Sequence, residues 1–131
     1  MIDKDSMYNT PPCWCIYMLG LVLEWLEGQG GVPGMEAIKH GKASMLYDVI
    51  DNSRLFTCAV EKDSRSDMNV VFRTGNDELD AKFVKESTAA GFTNLKGHRS
   101  VGGMRASIYN AMPVEGVEKL CDFIKAFDKN N

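Results

Sequence analysis

Lys96-Gly97-His98-Arg99-Ser100-Val101-Gly102-Gly103-Met104-Arg105-Ala106-Ser107-Ile108-Tyr109-Asn110-Ala111 decides how the rest of the chain is read. From Met104 to Asn110 the residues alternate. Met104, Ala106 and Ile108 share one face, and Arg105, Ser107 and Tyr109 share the other, as in a strand buried on one side. Gly102 and Gly103 lead into that strand and let the backbone turn or approach a ligand closely. Lys96, His98, Arg99 and Arg105 fall within ten residues, and such side chains supply donors for phosphate and carboxylate. The segment therefore reads as a site for a small ligand with two anionic groups: Lys96, His98 and Arg99 toward a phosphate, and Arg105 from the polar strand face toward a carboxylate. The plainer alternative is a glycine-rich turn with surface arginines in rim salt bridges.

Working outward, Pro113 to Asp128 carries Val114, Val117, Leu120, Cys121, Ile124 and Phe127 at helical spacing. Glu115 and Glu118 lie early and Lys125 late, matching the helix dipole. Upstream, Asn76 is placed to cap a helix from Asp77 to Ala90, with Leu79, Phe83 and Val84 inward and Gly91 closing it. Phe92–Leu95 is expected to be a short strand. Leu55–Val60 and Met68–Thr74 read as an antiparallel strand pair, with Met68, Val70 and Phe72 on one face. Asp63–Asp67 between them reads as a polar loop, and its charges, with Glu61 and Lys62, as solvated. A helix is expected from Met35 to Asn52, with His40 on its wet face and Gly30–Gly34 as a break before it.

The N-terminal part differs in kind. Residues 1–9 read as an extended lead-in. Thr10 stands before Pro11 and Pro12 as a helix cap, and a helix is expected from Pro11 to Glu27. Trp14, Ile16, Met18, Leu19, Leu21, Val22, Leu23, Trp25 and Leu26 make it apolar nearly all round, so it calls for cover on every side. It is expected to pack on a larger body. The free N–H groups of its first turn, with Asn9 and Thr10, also suit a phosphate.

The 131 residues suit one domain or part of one, and net charge −3 argues against a nucleic-acid surface. The apolar run Cys13–Leu26 is too short to span a bilayer, and the N-terminus lacks a signal-peptide pattern. Cys13, Cys15, Cys58 and Cys121 match no zinc spacing. They are expected to be reduced, core-packed thiols of a cytoplasmic protein. No metal cluster, Walker-type loop or Ser-His-Asp arrangement stands out. The fold expected is α/β (α+β), with a small mixed or antiparallel sheet covered by helices on one face.

Ser6-Met7-Tyr8-Asn9-Thr10-Pro11-Pro12, together with the 96–111 segment, resembles phosphoserine aminotransferase. These are pyridoxal-phosphate (PLP) enzymes of the aspartate-aminotransferase fold. The resemblance covers essentially the whole chain, but only the C-terminal portion of the family. It implies that residues 1–30 are a lead-in and helix packing on a large domain or partner, and that 31–131 are the C-terminal small domain of a fold-type I aminotransferase. The implied reaction is amino transfer between glutamate and 3-phosphohydroxypyruvate, giving 2-oxoglutarate and O-phosphoserine, in serine synthesis. Some members act on a related substrate of pyridoxine synthesis. The resemblance places Asn9 and Thr10 at the PLP phosphate of a neighbouring subunit in a homodimer. It places His98 and Arg99 at the substrate phosphate and Arg105 at the substrate α-carboxylate. The family's Schiff-base lysine has no counterpart here, nor do the aspartate at the pyridine nitrogen and the aromatic on the ring; Lys96 does not occupy the lysine's position. The chain alone is thus expected to be inactive and to hold no PLP. The alternatives are a non-catalytic anion-binding or interaction module, and one subunit of a split enzyme.

Overall fold

The computed structural model describes residues 2–131. By internal contacts the chain divides into two compact units, one ending at Glu36 and the other running Ala37–Asn131.

The first unit contains α1 (Cys13–Gly28). Three expectations are corrected here. The lead-in is not extended: Ile2–Lys4 form a 3-10 turn, and Asp5 and Ser6 take φ of 49° and 64°. Thr10 is not the cap. The N-cap is Pro12, which has no side-chain cap bond, and Ile16 N–H donates to the Pro12 carbonyl at 3.1 Å. A residue before proline is pushed out of the α region, so Pro12 keeps Pro11 from helical conformation and the helix starts beyond both. The break before the second helix is also shorter than expected. α2 runs Gly31–Asp51 and takes Val32, Pro33 and Gly34 into its first turn, where the N–H that proline lacks would have had no partner.

The second unit has its centre in two antiparallel strands, β1 (Asn69–Phe72) and β2 (Met104–Ser107). Their register pairs Asn69 with Ser107, Val70 with Ala106, Val71 with Arg105 and Phe72 with Met104. Val70, Phe72, Met104 and Ala106 are buried, while their alternates are half-buried. The buried face is covered by α2, by α3 (Asp77–Ala89) and by α4 (Val114–Asn130). Phe83 is fully buried, and Phe56, Phe72, Phe123 and Phe127 surround it at centroid distances of 5.1–5.8 Å. These edge-on contacts add to the area each ring buries. Asn76 caps α3 as expected, accepting from the N–H groups of Glu78 and Leu79.

The two outer strands shrink to single rungs. Thr57 pairs with Arg73, and Lys96 with Met104. In the first case, side chains have taken the backbone donors. Leu55 N–H donates to Ser53 Oγ and to Asp128 Oδ1, and Phe56 N–H donates to Ser53 Oγ. Such local bonds compete with a ladder. In the second, Asn94 takes φ of 60° and ends the extended run before it can pair.

Two further expectations fail. Of the four thiols only Cys121 is buried, which pushes its pKa up; Cys58 is half-buried and Cys13 and Cys15 are exposed. The 61–67 segment is not simply solvated. The Arg65 guanidinium meets both Asp51 oxygens at 2.8 Å, lies 4.6 Å over the Tyr47 ring, and its side chain is only 13% exposed. Lys42, 1% exposed, donates to the carbonyls of Tyr109, Asn110 and Met112 at 2.8, 3.3 and 2.9 Å. It thereby ties α2 to the turn that follows β2, while burial pulls its pKa down from the usual lysine value.

Candidate anion site at the open sheet face

Between the Lys96–Met104 rung and β2 the chain makes a tight loop. The N–H groups of Val101 and Gly102 both donate to the His98 carbonyl at 2.9 Å, and Gly97 N–H donates to the Gly103 carbonyl at 2.8 Å. Two glycines are required sterically. A Cβ at Gly97 would lie 2.1 Å from the Gly102 carbonyl oxygen, and one at Gly103, whose φ is 62°, would lie 2.8 Å from the Phe72 carbonyl oxygen.

The loop separates two hollows. One, of about 180 Å³, is lined by Val71, Arg73, His98, Gly102, Met104 and Arg105. The other, of about 450 Å³, has Lys96, His98 and Arg99 on one side and Asp77 and Asp80 on the other. Arg105 and His98 therefore meet in the first, Arg99 and Lys96 stand in the second, and His98 borders both. Asp80 is engaged, its Oδ1 accepting from Thr74 N–H at 2.8 Å and from Thr74 Oγ at 2.7 Å.

The charges are arranged unevenly. Arg54 and Arg65 are paired with Asp128 and Asp51. Among the described residues no salt bridge joins Arg73, Lys96, His98, Arg99 or Arg105 to a carboxylate. Arg105 Nε is buried with no hydrogen-bond partner, a costly state for a charged donor. Ser100 N–H lies 3.3 Å from His98 Nδ1, with Ser100 Oγ at 2.7 Å. A backbone N–H only donates, so Nδ1 is the acceptor and a neutral imidazole carries its proton on Nε2, available to an anion. This first hollow is cationic and short of acceptors.

Asn9 and Thr10 lie in the first unit and are exposed, just ahead of α1. Lys42 has all three of its donors engaged by carbonyls, and Lys96 is exposed beside the loop. Arg73 is the residue sequence reasoning missed. Its signal was the alternation of its own strand, which sets it on the face opposite Phe72. No group of histidine, cysteine and carboxylate side chains able to hold a metal occurs among the described residues, and none of their helices is long and apolar enough to cross a membrane.

The chain belongs to the class-V aminotransferases, whose family model matches residues 1–120. Within it the similarity is to phosphoserine aminotransferases. The chain is 58% identical over 125 residues to the Listeria monocytogenes phosphoserine aminotransferase, covering 95% of this chain and 34% of that one. It superposes on the phosphoserine aminotransferase of Bacillus circulans subsp. alkalophilus with a TM-score of 0.93 at 49% identity, over 98% of this chain and 36% of that one. On a PLP-bound phosphoserine aminotransferase from Trichomonas vaginalis the TM-score is 0.87 at 38% identity, over 95% and 36%. The chain spans about a third of the length of the curated relatives it matches.

Proposed function

We propose that this chain forms the substrate-anion part of a phosphoserine aminotransferase, the enzyme that moves an amino group between glutamate and 3-phosphohydroxypyruvate. The observation that carries the reading is the buried, unpartnered Arg105 Nε in a hollow with no carboxylate to neutralise it. A guanidinium in that state is completed by a ligand carboxylate, which accepts two parallel N–H bonds. His98 offers Nε2–H to the phosphate end of the same ligand. Arg99, on the other side of the Gly97–Gly103 loop, adds charge from the second hollow.

The residues suit PLP at one end only. Asn9 and Thr10, with the N-terminus of α1, make a donor set for its phosphate, in a site shared with a second subunit of a homodimer. This reading assigns its aldehyde to no lysine of this chain: Lys42 is committed to carbonyls, and the family resemblance does not set Lys96 at the position of the Schiff-base lysine. PLP supplies the electron sink that amino transfer needs. The groups holding its ring and aldehyde come from outside these residues, so the chain alone binds substrate anions without turning them over.

Titration of isotopically labelled chain with O-phospho-L-serine, followed by amide resonances, tests the site. Addition of glutamate, 3-phosphohydroxypyruvate and PLP to the same sample tests the chemistry. The expected result is saturable shifts at His98, Arg99 and Arg105 and no 2-oxoglutarate. Turnover would refute the claim that the catalytic lysine is lacking. Absence of shifts in the 97–105 loop would refute the anion site.

A further inference from the structure

We propose that Arg73 is a second guanidinium of this anion site, closing with Arg105 as a clamp on one anionic group of the ligand. The inference rests on the reading that the Arg105 hollow receives a substrate anion.

Strand geometry makes the pair. Val71 stands directly opposite Arg105. Arg73 is two residues beyond Val71, on the same sheet face, and so is the diagonal neighbour of Arg105. Diagonal neighbours sit roughly 7–8 Å apart, within reach of long side chains. Arg73 is held there from both sides of its backbone. Its N–H donates to the Thr57 carbonyl at 3.0 Å, and its carbonyl accepts from Thr57 N–H at 2.8 Å. On the facing strand a Cβ at Gly103 would come within 2.9 Å of Arg73 Cβ. The glycine leaves that space open over the root of the arginine side chain. Both arginines line the same hollow, and no carboxylate does.

The contrast with the rest of the molecule gives this arrangement its meaning. Arg54 and Arg65 each have an aspartate partner, whereas Arg73 and Arg105 are neighbours of like charge with none. Like charges facing each other across a sheet are unfavourable without a counter-ion. A ligand carboxylate or phosphate oxygen between them relieves that repulsion and gains two charge-assisted contacts where Arg105 alone gives one set. Arg73 is exposed and its side chain has no protein partner, so a purely structural role has nothing to act through.

The test is O-phospho-L-serine binding by calorimetry, with thermal unfolding of the ligand-free chain, for the parent, Arg73→Gln, Arg73→Lys and Arg105→Gln. The expected result is a loss of about tenfold in affinity for Arg73→Gln, the size of one charge-assisted interaction. Arg73→Lys should be partly restored, and the ligand-free Tm of Arg73→Gln should be equal to the parent's or higher because repulsion is relieved. Binding by Arg73→Gln within twofold of the parent, while Arg105→Gln is weakened, overturns the clamp and leaves the site reading intact. A Tm lowered by several degrees in Arg73→Gln overturns it too, by making the residue structural. No binding by the parent removes both the clamp and the reading beneath it.

Discussion

α1 and α4 are helices of almost the same length, 16 and 17 residues, with opposite relations to the fold. α4 buries Val117, Leu120, Cys121, Ile124 and Phe127, one stripe at helical spacing. α1 is more apolar, yet none of its residues is buried: Trp14 is 71% and Leu19 57% exposed. Apolarity by itself does not put a helix in a core; the stripe has to match a surface that these residues provide. α4 finds that surface in the sheet and its flanking helices. α1 displays a contiguous apolar surface of the kind that marks an interface.

The largest effect should come from testing that contrast directly. Ile124→Ala, at a site with no exposure, is expected to cost about 3 kcal/mol. Leu19→Gln is expected to stay within about 0.5 kcal/mol and to reduce self-association of the chain. Urea unfolding gives the first quantity and sedimentation the second. Equal losses in both variants would show that α1 is core after all.

Next comes Lys42→Met. In the 37–131 unit even a buried cation is satisfied, through three carbonyl acceptors. Methionine fills the space but leaves those carbonyls without their donor, at a cost of about 2 kcal/mol. Protection of the 109–112 amides against hydrogen exchange should fall with it. Asn76→Ala removes the acceptor of two N–H groups at the start of α3 and should cost about 1 kcal/mol. An unchanged midpoint for either variant would mean that the polar anchors of this unit do not distinguish it from α1.

Those residues also show what can be read from a chain and what cannot. The Asn76 cap, the α4 stripe and the alternation of β2 depend on neighbours within a few positions, so pattern alone reveals them. The lost strand at Leu55–Phe56 depends on Asp128, 73 residues away from Leu55, and no local rule predicts a carboxylate arriving there. Lys42 reads as a solvated helix residue beside His40 until its partners at 109–112 fold over it. The loop cations were legible as a group because glycines and basic residues crowd one segment. Their division between two hollows was not, because it depends on which way the Gly97–Gly103 turn folds. Arg73 is legible from alternation alone, one position past the inward-facing Phe72.

The smallest predicted effect separates a paired arginine from an unpaired one. Hydrogen bonding from Arg65, with a further pull from its charge, holds the Asp51 carboxyl below the ordinary value of 3.8. An aspartate whose pKa is lowered on folding stabilises the fold above its unfolded value. That contribution fades as pH drops through 3.8 toward the lower native value, because the unfolded chain then binds the proton first. Asp51→Asn should therefore cost about 0.5–1 kcal/mol at pH 7. The Tm difference from the parent should close only below pH 3.8. Arg105 has no such partner, so Arg105→Gln should show no Tm deficit at neutral pH in the absence of ligand, and should lose only the stabilisation that O-phospho-L-serine adds to the parent. If Arg105→Gln instead behaved like Asp51→Asn, with a deficit that closed in acid, Arg105 would be answering a carboxylate of the protein rather than one brought by a ligand.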